Sequence, residues 1–337
     1  TKDLAKHLGM SRSTVDRVLN GRSGVKEKTI KAVEKAIEEL GFQRNISAAN
    51  LARNRVYKFE FILPDIPGEF QKEVENQIHI LKQALNPDGI EIGISHFAGQ
   101  DPHKIAAHLT QVDAKRFDGI AILAKESPEV RDAVRRLSER GVYVVRIISG
   151  DSNDKNSDFV GVNNYASGMT AARLLGSFAS RERSNILVIA DAMSSPDSAA
   201  RRAGFDATLQ SKFSWLAAQP TLETYGSTIR AEDILSRALG SYQNVGGIYV
   251  LSTEGKPVLD AIIRLKLGES LPIVAHERCE TNLLHLKSGV IDALIVQDAG
   301  HVVRSATRKL RARCDQRDLV KAQEQIRIEV LLQENLL

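Results

Sequence analysis

Arg12, Ser13, Asp16 and Arg17 recur at helical spacing, and the opposite face of the same short stretch is apolar at Val15, Val18 and Leu19. Cations, a hydroxyl and a carboxylate on one helix face are groups that can read base edges and hold phosphates. Such a face needs a support. Leu4, Ala5 and Leu8 give the preceding helix an apolar stripe, Gly9 frees the backbone for a tight turn, and Ser11 is placed to cap the second helix. Ile30, Val33, Ile37 and Leu40 predict a third helix, with Gly41 to stop it. The expectation is an all-α, three-helix helix-turn-helix head.

Charge agrees with a head that sits on nucleic acid. Residues 1–58 hold thirteen Lys/Arg against six Asp/Glu, about +7, whereas the whole chain of 337 residues carries +4, so the remainder is about −3. Positive charge at one end suits phosphate contact.

These residues resemble the LacI/GalR bacterial transcription regulators, whose signature matches Ser11-Arg12-Ser13-Thr14-Val15-Asp16-Arg17-Val18-Leu19-Asn20-Gly21 and Glu38-Glu39-Leu40-Gly41-Phe42. The resemblance implies that Arg12, Ser13 and Arg17 contact base edges and Thr14 the DNA backbone. Asp16 stands where serine is common; it would accept from a cytosine amino group or pair with a neighbouring arginine. Residues 45–57 resemble the family's hinge, which becomes helical on the operator and pushes a leucine, here Leu51, into the minor groove. Asn45 is counted with the DNA-contacting residues. Arg44 replaces the usual proline and Ala49 the usual arginine.

From residue 58 onward short apolar runs alternate with amphipathic ones. Strands are predicted at 59–63, 90–95, 119–123, 142–148, 159–162, 185–190, 247–251, 272–275 and 293–296, with helices between them. That alternation argues for an α/β domain of parallel sheets flanked by helices. About 280 residues suit two lobes rather than one sheet. The resemblance implies an effector domain built like a periplasmic sugar receptor. The resulting division is a head over 1–44, a hinge over 45–57 and an effector and dimerisation domain over 58–337, with lobes at about 58–158 and 159–290 and later crossovers.

No dinucleotide fingerprint, Walker lysine or Gly-x-Ser-x-Gly elbow occurs, and the eight histidines form no cluster. His103 and His108 are five apart, poorly placed for one metal, and Cys279 and Cys314 lie in separate segments without metal spacing. No enzyme activity, cofactor or metal is therefore expected. No signal peptide or span of membrane length is read, Thr1 falls close to the start of the family's first helix, and a cytoplasmic protein, nucleoid-associated through its operator, is expected.

Ligands of open parallel sheets bind at the carboxyl ends of the strands, and a polyol needs planar charged groups and an aromatic face. Phe70, with Glu69, follows the first strand where the family and the receptors place a stacking aromatic; it also begins the apolar stripe of its helix. Ser149 and Asp151 follow the 142–148 strand, where the family often has Ser-Asp. Arg201 heads Arg-Arg-Ala-Gly-Phe, similar to the family's Arg-x-x-Gly-Phe, whose arginine reaches the ligand. Glu277 stands for an aspartate that binds ring hydroxyls, and Gln297 resembles a cleft glutamine. Ser252 or Thr253 would replace an asparagine near Val250, and Asn163 stands where aspartate is frequent. Arg146 interrupts an apolar strand and needs a carboxylate or a ligand anion.

The chain is thus expected to be a homodimeric operator-binding regulator of carbohydrate-related genes, a repressor released by a sugar, sugar acid or cyclitol. The alternatives are a sugar receptor without a regulatory role, and a ligand that acts as corepressor.

Overall fold

The computed structural model describes residues 2–19, 24–39, 55–66, 68–99, 101–150, 158–182, 184–253, 255–319 and 321–336. It divides into two compact units, Thr1–Arg55 and Val56–Leu337.

The first unit contains α1 (Lys2–His7), α2 (Arg12–Leu19) and α3 (Glu27–Glu39). Leu4, Ala5, Val15, Val33 and Ala36 close its small core, with Leu8, Val18 and Ile37 against it. Gly9 has φ +60°, the left-handed turn for which a glycine was expected. The Ser11 hydroxyl accepts from Thr14 N–H at 3.0 Å, so it caps α2 as expected. The expected stop at Gly41 and residues 45–54 of the expected hinge, Asn45 and Leu51 included, lie outside the described residues, and Tyr57, expected as the last hinge residue, instead begins the first strand.

The second unit is built on two sheets. The first lobe alternates β1 (Tyr57–Asp65), α4 (Glu69–Leu85), β2 (Ile90–Ala98), α5 (Pro102–Gln111), β3 (Gly119–Ile122), α6 (Pro128–Glu139), β4 (Tyr143–Ile147) and β5 (Phe159–Val160). All five strands are parallel, in the order β2-β1-β3-β4-β5. Because β5 pairs with β4, the chain leaves this lobe after Val160, slightly later than the expected change at 158/159.

The second lobe continues with α7 (Asn164–Phe178), β6 (Ser184–Ala190), α8 (Pro196–Lys212), β7 (Leu216–Ala218), β8 (Leu222–Glu223), α9 (Thr228–Ser241), β9 (Val245–Val250), α10 (Lys256–Arg264), β10 (Ile273–His276), α11 (Glu280–Lys287) and β11 (Ala293–Gln297). The chain then returns: α12 (Ala299–Cys314) packs in the first lobe's core, α13 (Lys321–Glu324) follows, and β12 (Ile328–Leu331) pairs antiparallel with β11.

Alternate residues of the buried strands face opposite helix layers, which is why the strands read as continuous apolar runs. In the first lobe Phe59 and Phe61 meet Val74, Ile78, Val303 and Leu310, whereas Ile62, Ile120 and Ile122 meet Ile105, Leu109, Val130 and Leu137. In the second, Leu187 and Ile189 face α9 and α10, and Val188 and Tyr249 face α7 and α8. Among the described residues no helix is long and apolar enough to cross a membrane.

Candidate functional site

The strand ends of the two lobes frame a cleft with about 1000 Å³ of empty space, its mouth included. Each lobe turns its fourth strand at that edge in the same way. Ile148, after β4, has φ +67° and its N–H bonds Val160 O at 2.8 Å; Glu277, after β10, has φ +70° and its N–H bonds Ile295 O at 3.0 Å. A β-branched or long side chain held in the left-handed region stores strain of about 1–3 kcal/mol, which the neighbouring strand must hold in place. Asn282 supports the second turn, donating to His276 O at 2.8 Å and Glu277 O at 2.9 Å.

Arg201 is the hub of the second lobe's wall. Its Nε donates to Asn164 Oδ1 at 2.8 Å, Nη1 to Leu251 O at 3.1 Å and Thr253 Oγ1 at 3.4 Å, and Nη2 to Glu277 Oε1 at 3.1 Å. The Arg-x-x-Gly-Phe string explains how it is placed. A Cβ on Gly204 would lie 2.0 Å from Tyr165 O, and one on Gly168 1.8 Å from Arg201 O, so both glycines let α7 and α8 touch backbone to backbone. Phe205 stacks on Tyr249 with centroids 4.5 Å apart, anchoring the helix from which Arg201 reaches into the cleft.

Glu277 is 2 % exposed and its Oε1 also accepts from Gln297 Nε2 at 3.1 Å, while Oε2 has no hydrogen-bond partner. Burial pushes its carboxyl above the usual range against the pull of Arg201 and Gln297. Behind them Tyr249 Oη and His276 Nε2 share a hydrogen bond at 2.7 Å. Burial, then the Arg201 charge, holds His276 well below the usual imidazole value, so it is neutral.

Of the residues expected at the cleft, Phe70, Ser149 and Arg201 line it. Phe70 also belongs to the first lobe's core, so both readings of it hold structurally. Glu277 and Gln297 do not line the cavity; they form the layer behind Arg201. Asp151 lies outside the described residues. Ser252 and Thr253 line the wall, Ser252 Oγ accepting from Asp191 N–H, and Asn163 caps α7 by accepting from Ala166 N–H at 3.0 Å. Arg146 forms a buried pair with Glu126, which also meets Arg131 at 2.8 Å, and neither Arg146 nor Glu126 lines the cavity.

Two groups join the lobes: Asp197, absent from the expectation, and Glu69, expected only beside Phe70. Asp197, on the first turn of α8 and one helical turn before Arg201, accepts from Asn164 Nδ2 at 3.1 Å and, across the cleft, from Gly150 N–H at 3.4 Å. Burial pushes its carboxyl up, against the Ser149 hydroxyl, Arg201 and Gly150. The four-residue spacing of Asp197 and Arg201 was a readable signal that they share a helix face. Glu69 bonds both Thr281 N–H, at 2.9 Å, and the Thr281 hydroxyl on the first turn of α11. Burial raises the Glu69 carboxyl, but the Thr281 bonds, the nearby Cys279 and the Lys256 charge outweigh it and hold the group below its usual value.

In the head, Arg12, Ser13 and Arg17 are exposed along α2 and Thr14 is half-buried. Asp16 falls within α2, but its side chain lies outside the described residues.

A helix-turn-helix head followed in sequence by a two-lobed α/β domain is the architecture these elements define. Residues 59–318 match the periplasmic binding protein domain family and residues 1–45 the family of bacterial regulatory proteins, lacI family. The chain belongs to the periplasmic binding protein domain family and carries a lacI-family head. It is 27 % identical over 174 residues to the HTH-type transcriptional regulator DegA of Bacillus subtilis, which covers 51 % of this chain and 50 % of that one. The chain spans about half the length of the curated relatives it matches. Similar solved structures include GanP, a glucose-galactose binding protein from Geobacillus stearothermophilus, with a TM-score of 0.71 at 16 % identity, covering 84 % of this chain and 99 % of that one. A putative LacI transcriptional regulator from Bacteroides fragilis has a TM-score of 0.70 at 18 % identity, with coverage of 83 % and 98 %.

Proposed function

We propose that the chain is a cytoplasmic transcription regulator that grips a near-palindromic operator as a homodimer and is released by a small hydroxylated effector bound between the lobes. The observation that carries this reading is the pairing of an exposed Arg12-Ser13-Arg17 face on a capped recognition helix with a two-lobed cleft whose rims are hydrogen-bonded to each other. Arg12, Ser13 and Arg17 read bases, Thr14 holds the backbone and Asn45 is among the DNA contacts. Asp16 accepts from a cytosine amino group or pairs with a neighbouring arginine, and Leu51 wedges the minor groove. The likeness to GanP, which binds glucose and galactose, supports a sugar-like ligand, with Phe70, Ser149, Asp151 and Arg201 touching it and Glu277 and Gln297 fixing Arg201.

Function follows from differential binding. An effector that contacts both lobes favours one lobe arrangement over another, and the operator favours one spacing of the paired hinges, so each ligand biases the other's equilibrium. The same coupling with opposite sign would make the ligand a corepressor. The test is operator selection from a random duplex pool with the full chain, followed by footprinting. A footprint with two half-sites about one helical turn or more apart is expected. Binding without sequence preference would favour a receptor without a regulatory role.

A further inference from the structure

Both walls of the cleft hold acceptors that no donor among the described residues satisfies. On the first lobe Gln71 is 8 % exposed and lines the cavity; its amide donates to Pro64 O, and its Oε1 has no hydrogen-bond partner. Ser149 lines the same cavity, buried, with its Oγ also unpartnered. On the second lobe Asp191 Oδ1 is buried without a partner, and Asp197 takes the Asn164 amide and the Gly150 N–H both on Oδ1. Donors are scarcer. Arg201 gives hydrogen bonds from all three of its nitrogens to protein acceptors and is paired with Glu277, which leaves Lys125 as the other cation of the described lining. With Arg201 balanced by Glu277, two carboxylates, Asp191 and Asp197, face one amine, and the lining is left with an excess of negative charge.

We propose that the cleft takes a small organic cation, a hydroxylated primary amine whose ammonium group bonds Gln71 Oε1 on the first lobe and the Asp191 or Asp197 carboxylate on the second. This names the charge of the effector and rests on the reading of the cleft as an effector site. An ammonium has three donors and no acceptor, which matches a cavity whose unpaired groups mostly accept; a hydroxyl in its place brings two lone pairs that this lining has few donors to meet. An acceptor left buried and unpaired is costly, and a charge-assisted hydrogen bond is stronger than a neutral one. Burial pushes the Asp197 carboxyl up, and a cation beside it supplies the counter-charge that favours the ionised form. Phe70 and Phe97 line the cavity with rings, whose faces attract a cation, whereas an anion would add to the negative excess. Ser149, Ser198 and Lys125 remain for the ligand's hydroxyls. Because the ammonium bonds a group of each lobe, its binding acts directly on how the lobes are held together.

The test is calorimetric titration of the full chain with glucosamine, galactosamine and mannosamine, each beside its neutral parent sugar, its N-acetyl derivative and the uronic acid. In the series that binds, the free amine should bind about tenfold or more tighter than both the parent and the N-acetyl form, and the acid most weakly. Asp191→Asn and Gln71→Leu should each shrink the amine's advantage over its parent. Asp191→Asn should do so without lowering the melting temperature of the ligand-free chain, because Asp191 Oδ1 holds nothing in the fold. A parent or N-acetyl sugar that binds as tightly as the amine, an acid that binds best, or an amine whose advantage survives both substitutions overturns the proposal and leaves the effector site standing. Failure of every probe to bind overturns both.

Discussion

Removing the carboxylate behind Arg201 separates the charge of Glu277 from its role as an acceptor. Glu277→Ala leaves a guanidinium that is 4 % exposed without a counter-charge and strips Gln297 Nε2 of its partner. An uncompensated buried charge costs about 3–5 kcal/mol, and because Asn164, Leu251 O and Thr253 still hold Arg201, the loss should fall near about 3 kcal/mol. Glu277→Gln keeps an acceptor for Arg201, and Gln297, whose Oε1 has no partner, can turn to accept from the new amide. That variant also leaves Arg201 without this counter-charge, but it keeps the acceptor and sheds the burial cost that pushes the Glu277 carboxyl up, so its loss should be clearly smaller than that of Glu277→Ala. The pH dependence has a definite sign. A folded-state pKa above the ordinary 4.5 means that the folded protein holds the proton longer, so this group's contribution to stability falls as pH rises from 4.5 through the folded value. Glu277→Gln should lack that fall. Urea unfolding of the full chain, followed by the fluorescence of its single tryptophan, Trp215, in the same lobe, measures both effects. Equal losses in the two variants, or a loss below about 1 kcal/mol in Glu277→Ala, would refute the pairing argument.

Gly204→Val places a Cβ 2.0 Å from Tyr165 O, so α7 and α8 must separate; a loss of about 3 kcal/mol is expected, and an unchanged melting temperature would deny the close helix contact. Glu69 has a lowered carboxyl pKa, so its contribution is present above 4.5 and lost as pH falls through the folded value. Melting curves between about pH 3 and pH 6 should show that acid loss in the wild type and not in Glu69→Gln; parallel curves would argue that the Thr281 clasp does not form in solution. Arg17→Ala should cost about 1–3 kcal/mol on the preferred operator and relax base preference, whereas Lys6→Ala should weaken all sequences alike. Footprints with unchanged preference would remove Arg17 from the reading set.

The elements that carry strong local signals were legible before any coordinates. Gly9, Ser11 and the apolar stripes of α1 to α3 specify the head, because turn, cap and periodicity agree there. The long buried strands were equally plain, since Phe61 to Leu63 and Ile186 to Ala190 are apolar on both faces. The weak strands were not expected. Leu216–Ala218 and Leu222–Glu223 are too short to show a period, and Ile328–Leu331 exists only because β11 offers it an edge. At the cleft, Arg201 was readable from the string that follows it, and Thr253 and Glu277 were expected there, but that they and Asn164 hold Arg201 was not. Asn164, Thr253 and Glu277 are distant in sequence, and only the packing of α7 on α8 and the turn after β10 bring them to one guanidinium. The clasps made by Asp197 and Glu69 depend on the meeting of two lobes, which no local pattern encodes.

The central claim is that the cleft and the reading head are thermodynamically coupled. The direct measurement is the Kd of the full chain for its selected operator, by fluorescence anisotropy, without and with a saturating ligand found by thermal-shift screening. Coupling of about 1–3 kcal/mol predicts a change in operator Kd of roughly 5- to 150-fold, and the operator must alter ligand affinity by the same factor. An operator Kd that is the same with the cleft empty and filled would contradict the account.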